Sequence, residues 1–259
     1  MLKFECTLCG KCCDAGGPEV TIEEAMRFAD LFPLSVRIVA ARKGKNPDEL
    51  IKHVKTFGHR LRAGPPGVTP YIYHVYGTIM VTVPEGLACP ALKDKPCSLH
   101  PDKPLACSTA PFAGGVPQRL QQAAYKRWAD WECIDHKDGE MIFDGKKITN
   151  TGYLRHYKQT YNAIKLDQKL FAAFWPQIPK DVLPDILEMA TTQHSLLPFA
   201  EMLPILRDSG RYDDVTLKRL ITSQNRLLEG LAQKVPDEPV RGPIHWHMQL
   251  ALKRWQAQL

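Results

Sequence analysis

Phe4-Glu-Cys6-Thr-Leu-Cys9-Gly-Lys-Cys12-Cys13 places four thiols within eight residues, among small and charged neighbours. A two-residue gap lets a tight turn bring both sulfurs of a pair to one ion, and amides in such turns donate to the thiolates. Repeated as CxxCxxC, the spacing supplies three ligands from one loop, the arrangement that holds three corners of a four-iron cluster in ferredoxins. The remaining cysteines follow at Cys89, Cys97, Cys107 and Cys133, so all eight precede residue 134. Cysteine also packs as a small hydrophobe, and Cys133, following Trp128 and Trp131, has the company for that. Four crowded thiols in a polar loop do not. Cys6, Cys9, Cys12, Cys13, Cys89, Cys97, Cys107 and Cys133 are therefore read as metal ligands.

Cys13 touches Cys12 in sequence, and neighbouring side chains of an extended chain point to opposite sides. On that reading Cys6, Cys9 and Cys12 share a site with one further ligand. Cys13 then joins three of the four later cysteines, which makes two sets of four. His136, three residues after Cys133, has ligand-like spacing, and His100 lies between Cys97 and Cys107. A hydrogen bond within a loop is the plainer role for each.

The chain of 259 residues is long enough to bury a core without covalent staples, and its 44% hydrophobic and 24% charged residues are those of a globular protein. No segment approaches eighteen consecutive apolar residues, so no transmembrane helix is expected. The opening Met-Leu-Lys-Phe-Glu-Cys has no apolar run behind its lysine, and the expectation is a chain without a secretory signal, in a reducing cytoplasm where disulfides are rare. The net charge of +6 sits in one stretch. Arg37, Arg42, Lys43, Lys45, Lys52, Lys55, Arg60 and Arg62 face only Asp48 and Glu49 there. Four thiolates around zinc or an oxidised four-iron cluster leave roughly −2 per site, so the loaded protein would be near neutral with one cationic segment. That argues against a general nucleic-acid binder, which spreads its basic residues over a face.

The expected fold class is α+β, predominantly α. Residues 1–150 read as an irregular cysteine-rich metal-binding part with a few short strands, and 151–259 as an all-helical part that can pack on the first. Thr21-Ile-Glu-Glu24 is a capping box opening a helix that Pro33 ends. Asn46-Pro47 reads as an N-cap with proline at the first helical position. Tyr71–Val83 is rich in β-branched and aromatic residues and reads as one or two strands. Gln118–Trp131 looks helical, with Tyr125, Trp128 and Trp131 as core. Met141–Phe143 and Lys146–Thr149 flank a tight Asp144-Gly145 turn. Helical patterns then run over Tyr153–Trp175, Lys180–Thr191, Leu197–Asp208, Val215–Lys234 and Ile244–Trp255. In the fourth, Leu217, Leu220, Ile221, Leu227, Leu228 and Leu231 form an apolar stripe interrupted by Gln224.

With these residues in view, the chain resembles the bacterial CxxCxxCC cysteine-cluster (YkgJ-like) family, described as a domain that chelates zinc or iron. The resemblance rests on Phe4-x-Cys6-x-x-Cys9-Gly10-x-Cys12-Cys13, on Cys89-x-x-Leu92 with Cys97, on Cys97-Ser-Leu-His100-Pro-Asp-Lys103-Pro104-Leu-Ala-Cys107, and on Cys133. The family pattern has tyrosine, arginine, arginine and phenylalanine where this chain has His100, Lys103, Ser108 and Ala110, while Pro104 and Pro111 match. A larger relative methylates lysines of flagellin with S-adenosylmethionine and an iron–sulfur centre. The resemblance implies metal ligation by the cysteines and allows such chemistry.

No phosphate loop, dinucleotide fingerprint, HExxH or Ser-His-Asp pattern assigns an enzyme class. The expectation is a metal-binding protein with one or two all-cysteine sites. An iron–sulfur cluster (4Fe-4S) is favoured, for redox or group-transfer chemistry and, by the resemblance alone, methyl transfer. The alternatives are a zinc-bound structural or interaction protein and a metal-handling chelator. The partner would be a protein or a small molecule, not nucleic acid or membrane.

Overall fold

The computed structural model describes the chain except residues 9, 15–16, 66, 84–87, 93–96, 127, 193–194, 234–249, 252 and 259, and the side chains of residues 14 and 232. Strand β1 (Leu2–Phe4) leads to one helical turn, α1 (Lys11–Asp14), and to β2 (Glu19–Val20). Helix α2 (Ile22–Arg27) precedes β3 (Leu34–Ala41), α3 (Asp48–Phe57), β4 (His59–Ala63) and β5 (Tyr71–Val81). Next come α4 (Leu105–Thr109), α5 (Gln121–Lys126), β6 (Glu140–Phe143) and the long α6 (Thr151–Phe174). Then follow α7 (Leu183–Ala190), β7 (Ser195–Pro198), α8 (Leu203–Asp208) and α9 (Asp214–Ala232), and residues 250–251 and 253–256 are helical.

The main sheet is antiparallel in the order β2-β5-β3-β7, with β4 also paired to β5. Along one edge of β5, residues Tyr71–Val75 pair with β4 and Ile79–Met80 with β2, which leaves Gly77 between the two partners. Gln168 of α6 fills the gap: Gly77 N–H donates to its Oε1 at 3.2 Å, and its Nε2 donates to Gly77 O at 2.7 Å. A side-chain amide thus stands in for a strand peptide. A Cβ at residue 77 would lie 2.2 Å from the buried Phe171 ring, so only glycine lets α6 approach this closely.

The inner face of this sheet, with Val36, Ile38 and Ile79, packs against Phe171, Phe174, Leu206, Leu220 and Trp255 in the larger core. A smaller core gathers Leu2, Phe4, Phe112, Trp131, Phe143 and Tyr157 around the β1–β6 pair. Tyr125 and Trp131 are buried there, as their spacing suggested, with Trp128 stacked on Trp131 at 4.9 Å. Among the described residues no helix is long and apolar enough to cross a membrane.

The α+β class holds, and helix exceeds strand. Two parts of the expectation do not hold. The strands are not all short, since β3 has 8 residues and β5 has 11. Nor are residues 151–259 all helical, because β7 supplies the edge strand beside β3, with Leu197 opposite Val36. Leu196-Leu197 has modest β propensity alone; the open edge of β3 decides its conformation. The Thr21 capping box is present, with Glu24 N–H on Thr21 Oγ1 and Thr21 N–H on Glu24 Oε2. Asn46 is not an N-cap. Pro47 takes that position, and Asn46 accepts from Arg42 N–H and donates to Thr191 O at 2.8 Å. The start of the expected Ile244 helix lies outside the described residues.

Gln224, the polar interruption in the α9 stripe, is fully buried. It accepts Leu34 N–H at 2.9 Å and donates to Ala29 O and Phe32 O at 2.8 and 2.7 Å, closing the α2–β3 connection. Replacing it with leucine strands three buried backbone groups, each worth about 1–3 kcal/mol. Urea unfolding of Gln224→Leu should show a loss of about 2–4 kcal/mol despite the gain in hydrophobicity.

Candidate metal centre

The first cysteine loop is shaped by two left-handed residues, Leu8 at φ 55° and Gly10 at φ 80°. Gly10 takes that conformation without cost and offers its carbonyl to Cys13 N–H at 2.8 Å, starting α1. Cys12 and Cys13 therefore lie on a helical turn, not an extended chain. Successive side chains there are about 100° apart instead of opposed. The premise of an extended chain therefore does not hold, and the two thiols are hydrogen-bonded to each other.

Cys13 in turn reaches Cys89, thiol to thiol, and Cys89 N–H donates to Cys13 O at 3.0 Å. The segment beyond folds back on itself through the Leu92–Cys97 bridge and Ser98 N–H to Ala91 O at 2.7 Å. That return brings Cys97 within electrostatic reach of Cys13 and Cys89. Cys107, on α4, is within reach of Cys12, Cys13, Cys97 and Cys89. Five thiols from three segments are thus gathered, with Lys103 the cation that acts on both Cys12 and Cys107. Cys12 is exposed, Cys13, Cys97 and Cys107 are half-buried, and Cys89 is buried.

Crowding sets their acidity. Cys12 donates to Cys13, and that bond together with partial burial raises its pKa far above the usual thiol value. Accepting from Cys12 favours the Cys13 thiolate, but its own donation to Cys89 and its burial outweigh this and leave it at about 11. Burial first, then the neighbouring thiolates, push Cys107 up to about 12. Cys89, the acceptor at the end of the row, is lowered.

Cys6 and Cys133 are placed together elsewhere. Glu5 N–H donates to Cys133 O at 3.2 Å, which lays the two backbones side by side. Tyr153 is raised to about 12 by burial and then by the charges of Cys6 and Cys133. Cys9 lies outside the described residues. His136 faces Glu5 at 3.4 Å, and His100 is exposed, its N–H donating to Cys97 O. No disulfide joins any two of the described cysteines. Among the described residues no three His, Cys, Asp or Glu side chains enclose one ion-sized point; the thiols stand as a hydrogen-bonded row.

Two acids that sequence reasoning missed hold the row in place. Besides its part in the capping box, Glu24 accepts Leu105 N–H at 2.6 Å, fixing the start of the helix that carries Cys107. Asp167 of α6 accepts Ile22 N–H at 2.9 Å, fixing the start of α2. The available signal was an acid on the buried stripe of α6, between Ile164 and Phe171.

A donor set of thiols alone, beside one lysine, suits soft or borderline metals such as zinc and iron. The fold is that of an α+β protein whose cysteines all lie in its first 133 residues. The chain belongs to the CxxCxxCC family, whose model, described as a "putative zinc- or iron-chelating domain", matches residues 5–134. That span contains all eight cysteines, which supports metal binding as the role of this domain. No curated protein and no solved structure matches the chain.

Burial raises Asp167 from 3.8 to about 7, ahead of the opposing hydrogen bond from Ile22 and the charge of Arg211. A carboxyl raised on folding contributes stability that is complete below its unfolded pKa and is lost as pH rises through its folded one. Wild-type unfolding free energy from this group should therefore fall by roughly 2–4 kcal/mol between about pH 4 and about pH 8. Asp167→Asn should flatten that decline in urea titrations across the same range.

Proposed function

We propose that Cys12, Cys13, Cys89, Cys97 and Cys107 supply the ligands of an iron–sulfur cluster in a protein of redox or group-transfer function. The observation that carries this reading is the convergence of five thiols from three chain segments beside Lys103. The iron–sulfur centre of the larger relative that the sequence resembles favours a cluster over structural zinc. Such a cluster supplies electron transfer or radical chemistry when bound.

The chain's own residues then have distinct tasks. The thiols hold the metal, and Lys103 offsets part of their charge. Cys12, at the surface, gives the centre an edge that solvent or a reactant can reach, and that edge is where we place any chemistry. Methyl transfer stands on family resemblance alone. Cys6 and Cys133 would belong to a second centre near Tyr153. We keep the division into a chelating part, 1–150, and a following part, 151–259, for a protein or small-molecule partner, and place the protein in a reducing cytoplasm.

One observation favours the alternative, structural zinc: Cys89 belongs to the larger core, and Cys13 and Cys97 pack against it. Metal there would staple the cysteine segments to the sheet.

Anaerobic purification followed by iron, zinc and sulfide analysis and a visible spectrum separates the two readings. The proposal predicts a brown protein with broad absorption and matched iron and sulfide, while a colourless zinc protein would refute it. Cys13→Ser should remove the metal of the five-thiol centre, whereas Cys6→Ser should leave it in place. Loss of all metal in Cys6→Ser would show that the two groups are one.

A further inference from the structure

The cationic stretch of the sequence is divided by the fold. Arg37 pairs with Glu19, and Arg42 and Lys45 share Glu188 at 3.0 and 3.3 Å. Lys52, Lys55, Arg60 and Arg62, on α3 and β4, have no ion-pair partner among the described residues. Helix α6 packs beside them, with Phe57 and Tyr161 rings 4.8 Å apart. The outward face of α6 is itself cationic: Arg155, Lys158, Lys165 and Lys169 are exposed, and its one acid, Asp167, points inward to Ile22. The fold thus sets the unpaired cations of α3 and β4 and those of α6 on neighbouring elements.

An open cleft of about 530 Å³ lies at that junction. Phe57 and His59 line one side, and Lys165, Leu166, Lys169 and Ala172 of α6 line the other. His59 Nε2 donates to Gln168 O at 3.0 Å, which fixes its ring against the helix. No acidic residue lines the cleft, and neither lysine has an ion-pair partner among the described residues. Leu166, an apolar residue that is 49% exposed, forms part of the same wall.

We propose that this cleft is a binding site for a small organic anion, with a carboxylate, phosphate or sulfonate head on an apolar body. Lys165 and Lys169 are one helical turn apart, about 5–6 Å between Cβ atoms, so both ammonium groups can reach one oxyanion. Like charges at that spacing repel, and a bound anion relieves the repulsion. Phe57, Leu166 and Ala172 offer the apolar body a surface that a bare inorganic ion or a nucleic-acid backbone would leave uncovered. The volume lies in the range of small-molecule sites, about 300–1,000 Å³.

The test uses the full chain, metal-loaded, titrated with the fluorescent probe anilinonaphthalene sulfonate. Saturable binding is expected, with displacement by octanoate and not by inorganic phosphate at equal ionic strength. The double variant Lys165→Glu, Lys169→Glu should weaken probe binding at least about tenfold, since two charge-assisted contacts are lost. Lys146→Glu, Lys147→Glu, which makes the same change of net charge at the distant hairpin turn, should leave it unaltered. Leu166→Asp keeps both lysines and should also weaken binding. Far-ultraviolet circular dichroism matched to wild type establishes that each variant is folded. Equal weakening by both charge-reversal pairs, displacement by inorganic phosphate, or binding that does not saturate would overturn the proposal.

Discussion

Thiolates that share a small volume repel one another, and this repulsion governs everything built around Cys12, Cys13, Cys89, Cys97 and Cys107. Without a compensating cation such crowding favours the protonated thiol, and Cys12, Cys13 and Cys107 are all raised. The protons are shared along a row that runs Cys12 to Cys13 to Cys89. Lys103 offsets only part of the charge. On the proposed ligation, metal binding would release protons and grow stronger as pH rises. The family's zinc- or iron-chelating description and the electrostatics of the row point the same way.

The fold reaches the centre through a chain of hydrogen bonds from backbone N–H groups to two acids. Asp167 on α6 holds the start of α2, and Glu24 on α2 holds the start of α4, the helix that presents Cys107. Helix α6 is fixed in turn by Gln168 in the gap along β5 and by Phe171 over Gly77. The long helix therefore organises two surfaces at once. Its inner face positions the cysteine segments, and its outer face lines the cationic cleft.

Much of this was legible in the residues, and the failures have physical causes. The Thr21–Glu24 capping box could be read because its partners are three residues apart and the interaction is local. The α9 stripe could be read for the same reason, but the role of Gln224 could not, because its partners lie some 190 residues away in sequence. Strand β3 carries Val36, Ile38 and Val39, but Arg37 interrupts its apolar run, and the Glu19 that neutralises it sits on a neighbouring segment. Strand β7 exists because β3 offers an edge, a fact about the sheet and not about Ser195–Pro198. The cysteines themselves were evident from spacing, yet the backbone that carries Cys12 and Cys13 was not. One helical turn at Lys11–Asp14 changes which way Cys12 and Cys13 face, and that turn depends on Gly10.

The central claim is that cysteine sulfur alone binds the metal, with His100 and His136 outside its shell. X-ray absorption at the edge of the bound metal, on protein purified without oxygen, tests this whichever metal is present. The result expected is a first shell of sulfur only, at about 2.3 Å. Nitrogen or oxygen scatterers at about 2.0–2.1 Å would contradict it, and would bring histidine, carboxylate or water into the centre.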